Sequence, residues 1–482
     1  MKRTKAIALL ALLAMVAVAC GGRLDEQQIQ AEMAADGFTG GGVGPGGAAG
    51  ATDEFGNLIE GSTDGALGSD ATGGSAGRGN SDTGVAVGGG PGSAPGAPEG
   101  GNGGATDVGV TETEILIGNV ATLSGPVPGL FAGALRGTQA AFEYQNSLGG
   151  LFGRRFKVAS GDDQFDAGKN RQAHANLKDK VFGFVGSFSL FDGTGASEIE
   201  ASGAVDVGRA LSPRRQDLPT HISPFPFGIG WPTTGCDYLK QRFGEEAIKK
   251  MAFYWGNADV ARDNYNWQKA ACESRGFVFV EGRELQATES NFAADVQRMR
   301  AADVQGVMIV FDVTGIARFF KSLHQQRFDP PIKYPSPAAY DSEFIKLTGA
   351  DAVEGLIIGQ NVAMYSGEDA GAVPEIKLFN DWLAKIDPNQ KIDIFAMYGW
   401  ASGRLLVEAM KKAGPQVTRQ GVLDVLKGIH SWNNFGMSET LDIGSKKPGP
   451  CEMYMEVKGG RFQRVHPASG FHCDGTFVNY PG

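Results

Sequence analysis

Apolar positions from residue 111 onward follow two periods that alternate along the chain. Runs such as ILIGNVA (115–121) and GVMIVF (306–311) are almost continuously apolar, as in strands that are buried on both faces. Between such runs, apolar residues recur at the spacing of an amphipathic helix. Strands that alternate with helices predict right-handed βαβ units, so the pattern indicates an α/β protein with parallel sheets.

The alternation occurs twice, before and after the proline-rich segment SPFPFGIGWP (223–232). Two sets predict two Rossmann-like lobes, and the length of the chain beyond residue 111 agrees, because single cores rarely grow so large. A tail of three helices follows, and then a hairpin that turns at Gly459–Gly460. The predicted tail helices cover residues 374–386, 395–412 and 418–427.

Glycines at positions 125, 129, 133 and 137 lie four residues apart, just after the first predicted strand. The spacing matches neither the dinucleotide-binding fingerprint nor the phosphate-binding loop. Gly133 and Gly137 lie along one face of the following helix, which indicates close packing of that helix on its sheet. Gly125 and Gly129 shape the loop at the carboxyl end of the strand, where open parallel sheets bind their ligands.

The N-terminus has the pattern of an export signal. A basic start at residues 2–5 precedes an apolar run at residues 6–19, which is too short to span a bilayer comfortably. The sequence at the end of this run, AVAC (17–20), resembles a bacterial lipobox. That resemblance implies a signal peptide over residues 1–19, lipid attached to Cys20 and an extracytoplasmic chain anchored to a bacterial membrane. Ala17 stands where lipoboxes usually have leucine, so a plain secretory signal remains the alternative.

Residues 20–107 differ in composition from the rest of the chain. They are rich in glycine, alanine and serine and contain few aromatic residues. Such a segment buries too little apolar surface to offset the entropy of ordering it. We therefore predict a disordered tether between Cys20 and the folded part.

The net charge bears on the binding partners, and the cysteine content bears on disulfides. The formal net charge of −10 argues against nucleic acid as a partner. An even number of cysteines beyond Cys20 favours disulfides in an exported protein, and we prefer pairs that close short loops. A metal site near His466 and His472 is the alternative, although the spacing fits no zinc pattern. The preferred pairs are Cys236 with Cys272, and Cys451 with Cys473.

The order of segments in residues 113–470 resembles the type I periplasmic solute-binding proteins, in particular the leucine-isoleucine-valine-binding family that serves ABC importers. The resemblance is carried by ILIGNVATLSGPVPG with the helix after it, FGFVGSFSLFDGTGA, VDVGRALSP, GVMIVFDVTGIARFFKSLHQQRF, DAVEGLIIGQ and FAMYGWASGRLLVEAMKKAG. It implies two lobes joined by three crossings, with the ligand bound in the cleft as the lobes close. The crossings are predicted near 224–230, 361–368 and 446–451; lobe 1 comprises 108–226 and 366–448, and lobe 2 comprises 227–365 and 449–482.

The resemblance also implies candidate ligand-binding residues. The family holds the ligand carboxylate with the loops after the third and fourth strands, here GSFSLFDG (186–193) and LSPRR (211–215). Serine hydroxyls there could bind an anionic group or merely cap helices. The candidates of lobe 1 are Ser124, Ser187, Ser189, Phe191 and Ser212.

Candidates in lobe 2 end strands or begin the loops after them. Asp312 or Asp341 could pair with an ammonium group. The alternatives are that Phe311 belongs to the core and that Asp341 caps the helix it precedes. The candidates of lobe 2 are Trp255, Phe311, Asp312, Tyr340 and Asp341.

Two departures from the family bear on the ligand. Alanines stand in SPAAYDSEF (336–344), where the family has a glutamate that clamps an amino group. Arg214 and Arg215 replace a pattern of small residues and threonine, and they would suit an acid. Both departures argue against an unmodified α-amino acid head. Four aromatic residues suggest a ligand with an apolar or aromatic group, so we expect a related carboxylate, or an amino acid, that carries such a group. These residues are Phe188, Phe191, Trp255 and Phe311.

The sequence contains neither the G-x-S-x-G motif of α/β hydrolases nor an H-E-x-x-H zinc motif. We therefore expect neither an enzyme nor a cofactor or metal requirement. The expected function is that of a monomeric lipoprotein that captures a small molecule and delivers it to an ABC importer permease. A ligand-sensing receptor lipoprotein without transport is the alternative.

Overall fold

The computed structural model describes residues 95–127, 129–389 and 391–480. The predicted signal peptide, the lipidation site at Cys20 and the tether up to residue 94 lie outside the described residues.

The first lobe is built on a five-stranded parallel sheet in the order β2-β1-β3-β4-β5. Its first four strands coincide with apolar runs of the sequence, whereas the two-residue β5 carries too short a pattern to be recognised. Its strands are β1 (Glu114–Ala121), β2 (Arg155–Asp162), β3 (Gly183–Val185), β4 (Val205–Val207) and β5 (His221–Ile222). The helices between them are α1 (Ala132–Ser147), α2 (Ala167–Leu177), α3 (Asp192–Ser202) and α4 (Pro213–Gln216).

The second lobe has a parallel sheet in the order β11-β10-β7-β8, and β9 also pairs with β7. Its strands are β7 (Met251–Gly256), β8 (Phe279–Glu281), β9 (Glu284–Leu285), β10 (Gly306–Val310) and β11 (Ile332–Pro335), and β6 (Gly230–Pro232) lies before them. The helices are α5 (Thr234–Phe243), α6 (Glu245–Ile248), α7 (Asp259–Glu273), α8 (Ala293–Ala301), α9 (Val313–Gln325), α10 (Phe344–Thr348) and α11 (Ala350–Val353). A 3₁₀ turn covers Pro337–Ala339. The α/β fold with parallel sheets is confirmed.

One predicted strand has an unexpected partner. The apolar run EGLIIGQ (354–360), part of a segment that carries the resemblance, contains β12 (Ile357–Gln360), which pairs antiparallel with β13 (Met453–Lys458) and not in a parallel sheet. β13 in turn forms a hairpin with β14 (Arg461–His466), and the positive φ of Gly459 and Gly460 forms the turn. β15 (Phe477–Asn479) pairs with β6. An apolar run predicts a strand but does not specify its partner.

The tail helices return to the first lobe. They are α12 (Asp369–Ala372), α13 (Pro374–Ile386), α14 (Ile394–Ala413) and α15 (Arg419–Lys427), and a 3₁₀ turn covers Asn434–Gly436. The three predicted tail helices are confirmed to within one residue at each end. No helix in the described part of the chain combines the length and apolarity needed to cross a membrane.

The glycine stripe packs against a different element from the one predicted. Gly133 and Gly137 face α14, not the sheet. A Cβ on Gly133 would overlap the carboxylate of Asp393, and a Cβ on Gly137 would overlap the carbonyl of Ala396. Gly399 on α14 faces Ala134 of α1 equally closely. The stripe therefore lets two helix backbones approach each other.

The ordered domain begins earlier than residue 108. Asn102 is buried and donates hydrogen bonds to the carbonyls of Glu112 and Phe152 (2.7 and 2.9 Å). The fully buried Arg154 donates to the carbonyls of Asn102 and Gly104 (2.7 and 2.9 Å). The structure thus corrects the predicted end of the tether, because residues 95–107 are held against the first lobe by hydrogen bonds that their composition does not reveal.

Two disulfides are present in the second lobe, Cys236–Cys272 and Cys451–Cys473. They are the pairs predicted from the sequence. The first joins α5 to α7, and the second joins the segment just before β13 to the segment before β15. Among the described residues, no group of three His, Cys, Asp or Glu side chains is arranged to hold a metal ion.

Candidate functional site

The carboxyl ends of the strands of both sheets meet at one cavity of about 70 Å³, here called the interlobe cavity. The loops after β1, β2 and β3 contribute Val127, Leu130, Phe165 and Leu190. From the second lobe, Gly256, Asn257, Ala258, Ala261, Ala287, Val310, Phe311 and Asp312 line the opposite wall. The side chains are almost all apolar, so the cavity is suited to an apolar group of a ligand.

Asp162 fixes the first of these loops. Its carboxylate accepts hydrogen bonds from the backbone N–H of Leu123 (2.9 Å) and of Gln164 (2.9 Å), and from the hydroxyl of Ser124. Burial alone would raise the pKa of Asp162, but these hydrogen bonds hold it below its usual value. Ser124 therefore stabilises the loop and does not line the cavity.

Asp163, which follows β2, forms hydrogen bonds with residues that follow β1 and β3. Its carboxylate accepts hydrogen bonds from Thr122 Oγ1 (2.6 Å), from Asn170 Nδ2 (3.1 Å) and from the hydroxyl of Ser189. Ser187 accepts a hydrogen bond from the N–H of Val120 (2.9 Å). Ser187 and Ser189 are each 1 % exposed, so their hydroxyls form hydrogen bonds inside the lobe and do not face the cavity.

Phe311 and Asp312, two of the candidate ligand-binding residues of lobe 2, line the interlobe cavity. The ring of Phe311 fits beside Gly256 and Gly315, where a Cβ would collide with it. Asp312 caps α9 by accepting from the N–H groups of Thr314 and Gly315 (3.0 Å each). The carboxylate of Asp312 thus forms hydrogen bonds with the helix. The half-buried ring of Phe311 is the larger surface available to a ligand.

The remaining candidates line neither this cavity nor the one described below. Ser212 caps α4. Phe191 packs edge-on against Phe165 (5.3 Å between ring centroids), and Trp255 stacks on Tyr265 (3.8 Å). Two more side chains already have hydrogen-bond partners: Tyr340 donates to the carbonyl of Ser366, and Asp341 accepts from the N–H of Glu343 (2.7 Å).

The two arginines that were expected to suit an acid have structural roles instead. Arg215 is fully buried and donates two hydrogen bonds to Asp206 (2.7 and 2.9 Å), which also accepts from His221 Nδ1 (2.7 Å). Burial raises the pKa of Asp206, but Arg215 and His221 outweigh it and hold that pKa far below its usual value. Arg214 is exposed and pairs with Glu200.

A second cavity of about 60 Å³, the crossing cavity, lies where the chain passes between the lobes. Each of the three predicted crossing regions contributes to its wall, through Phe227, Asn361 and Pro448. Arg209, directly after β4, also lines it and was not predicted. Its position at a strand end is the signal in the sequence that could have found it.

Glu452 on the wall of the crossing cavity is electrostatically unusual. Burial raises its pKa to about 7, although its carboxylate accepts a hydrogen bond from Tyr454 Oη (2.9 Å). Burial and the proximity of Glu452 raise the pKa of Tyr334 well above its ordinary value. At mildly acidic pH the wall formed by Glu452 is therefore largely uncharged.

Two parallel-sheet lobes, joined by three crossings and facing each other across a cavity at their strand ends, define the type I periplasmic binding protein architecture. The chain belongs to the periplasmic binding protein family, whose model matches residues 114–461. A comparison with curated proteins finds no match.

Solved structures of the same fold cover most of this chain. A fatty acid ABC transporter substrate-binding protein from Thermomonospora curvata is 19% identical with a TM-score of 0.64, covering 77% of this chain and 95% of its own. A branched-chain amino acid transporter substrate-binding protein from Streptococcus pneumoniae, in complex with isoleucine, is 16% identical with a TM-score of 0.61, covering 75% and 99%. A putative branched-chain amino acid ABC transporter from Rhodospirillum rubrum is 20% identical with a TM-score of 0.54, covering 73% and 100%.

Proposed function

We propose that the protein is an extracytoplasmic, lipid-anchored solute-binding component of an ABC importer. It captures a small molecule between its two lobes and presents it to the permease. The observation that supports this most directly is the interlobe cavity, whose walls come from the strand ends of both sheets. A ligand there contacts both lobes at once, so its binding energy favours their closure.

The lining favours an apolar group over a free α-amino acid head in this cavity. Asp312 is the acidic side chain on its wall, and it already caps α9. The structural neighbours described above are named as binders of branched-chain amino acids and of fatty acids, and the apolar part of either would suit these walls. We therefore propose a carboxylate with an aliphatic or aromatic body as the substrate.

Calorimetry on the purified protein tests the location of the site. Carboxylates of increasing apolar size are first screened by thermal shift, and those that raise the melting temperature are titrated. Phe311→Ala removes the largest apolar surface of the cavity, so we expect at least a tenfold loss of affinity, about 1.4 kcal/mol.

Phe328→Ala is the matched control, because Phe328 follows the other end of α9 and is half-buried outside the cavity. It should lower stability without changing affinity. Equal affinities for wild type and Phe311→Ala would place the ligand elsewhere.

A further inference from the structure

The crossing cavity contains the guanidinium of Arg209, which forms no ion pair with any residue that the structure describes. The Cζ atom of Arg209 lies 4.5 Å from the ring centroid of Phe227 and 5.0 Å from that of Tyr398. Within the described part of the chain, the single hydrogen bond of this side chain goes from Nη1 to the carbonyl of Phe225 (3.0 Å). A guanidinium has five N–H donors in a planar fork that matches a carboxylate. Most of them are therefore left for a ligand.

Gln268 supplies a second, independent observation on the opposite side. It projects from α7, lines the same cavity and is only 6 % exposed, yet its amide makes no hydrogen bond with any described residue. Tyr334 also lines the cavity, and its hydroxyl makes no hydrogen bond to the described residues either. Tyr334 is half-buried, whereas Gln268 is buried, and a buried amide normally has a hydrogen-bond partner. A bound group that accepts hydrogen bonds would satisfy both.

We propose that the crossing cavity binds the carboxylate of a small organic acid, with Arg209 as its charged anchor and Gln268 and Tyr334 as further donors. The cavity volume of about 60 Å³ is enough for several water-sized groups, which a carboxylate with a short carbon body would fill. Phe227, Trp231 and Phe477 provide flat apolar walls for that body. The site goes beyond the proposed function, because the crossing cavity and the interlobe cavity have no lining residue in common.

Calorimetry at pH 6 tests the proposal, since burial raises the pKa of Glu452 to about 7 and this carboxylate then repels an anion less than at neutral pH. The probes are acetate, propanoate and benzoate, each with its uncharged amide, and sulfate as an inorganic anion. We expect at least one carboxylate to bind ten times more tightly than its amide and than sulfate. The proposal is overturned if no carboxylate binds, if the amide binds equally well, or if sulfate does.

Variants locate the bound carboxylate. Arg209→Gln should lower the affinity for the carboxylate at least tenfold. Arg209→Lys should lower it less, because a lysine keeps the charge but lacks the planar fork. Arg214→Gln is the matched control, since it removes the same charge from an exposed neighbour. If Arg209→Gln does not fold, Arg209→Lys and Gln268→Ala together carry the test, and wild-type affinity in both overturns the proposal.

Phe311→Ala separates this inference from the proposed function. Loss of carboxylate binding in Arg209→Gln with full binding in Phe311→Ala places the carboxylate in the crossing cavity. The reverse result places it in the interlobe cavity, so that this inference fails while the proposed function stands.

Discussion

At the scale of single residues, burial decides what a polar side chain does. Ser189 and Arg215 lie in segments that resemble ligand-binding loops, yet both side chains are buried. Ser189 donates a hydrogen bond to Asp163, and Arg215 donates two to Asp206. Sequence can place a residue at a strand end, but it does not show which way the side chain turns. Phe311 and Arg209 turn toward cavities, and only the first was predicted.

Asp393 gives a prediction about pH. It caps α14 by accepting from the N–H of Ala396 (2.7 Å), and burial raises its pKa to about 7. Because the folded-state pKa exceeds the unfolded one, its contribution to stability is complete below about pH 4 and is lost as the pH rises through 7. An asparagine at this position would cap the helix without a charge.

We therefore expect Asp393→Asn to gain stability relative to wild type as the pH rises from 5 to 8, by on the order of 2 kcal/mol. Urea unfolding at the two pH values measures the difference. Asp166→Asn, at the exposed cap of α2, is the control and should show a smaller change. A constant difference between wild type and Asp393→Asn at both pH values would contradict the assignment.

At the scale of elements, local sequence signals predict the bounds of the tail helices accurately, but they do not predict which strands pair. The helices α14 and α15 begin at capping residues, Asp393 and Thr418, and α13 begins with Pro374. Such caps are local and can be recognised in the sequence. The partner of β12 comes from a segment almost a hundred residues away, so its antiparallel pairing had no local signal.

Close contact between α1 and α14 leads to a second prediction. Gly137→Ala would place a methyl group against the backbone carbonyl of Ala396, so we expect a destabilisation of about 1–3 kcal/mol. Gly371→Ala is the control, because Gly371 is helical and has open space around it. Denaturant unfolding measures both. Equal stability of the two variants would show that the helices are not packed as described.

The segment 95–107 leads to a third prediction. A chain that starts at residue 108 lacks the carbonyls of Asn102 and Gly104, which accept hydrogen bonds from the buried Arg154. Leaving such groups unpaired costs about 1–3 kcal/mol each. We expect a lower melting temperature than for a chain that starts at residue 95. Identical melting curves for the two would indicate that the segment contributes nothing to the fold.

At the scale of the whole molecule, the two-lobe α/β architecture could be predicted because hydrophobic period and segment order are encoded along the chain. The cavities could not, because their walls combine side chains from distant segments. The crossing cavity joins Arg209, Gln268 and Glu452, and no short window of sequence contains any two of these. The lipid anchor on Cys20 remains a prediction.

The proposed function requires that a ligand is captured between two lobes that close on it. Small-angle X-ray scattering, with and without a saturating ligand found by thermal shift, tests this most directly. We expect a smaller radius of gyration with the ligand, and no change when the same ligand is added to Phe311→Ala at a concentration too low to bind it. An unchanged radius of gyration for wild type at saturation would show that the lobes do not close on the ligand.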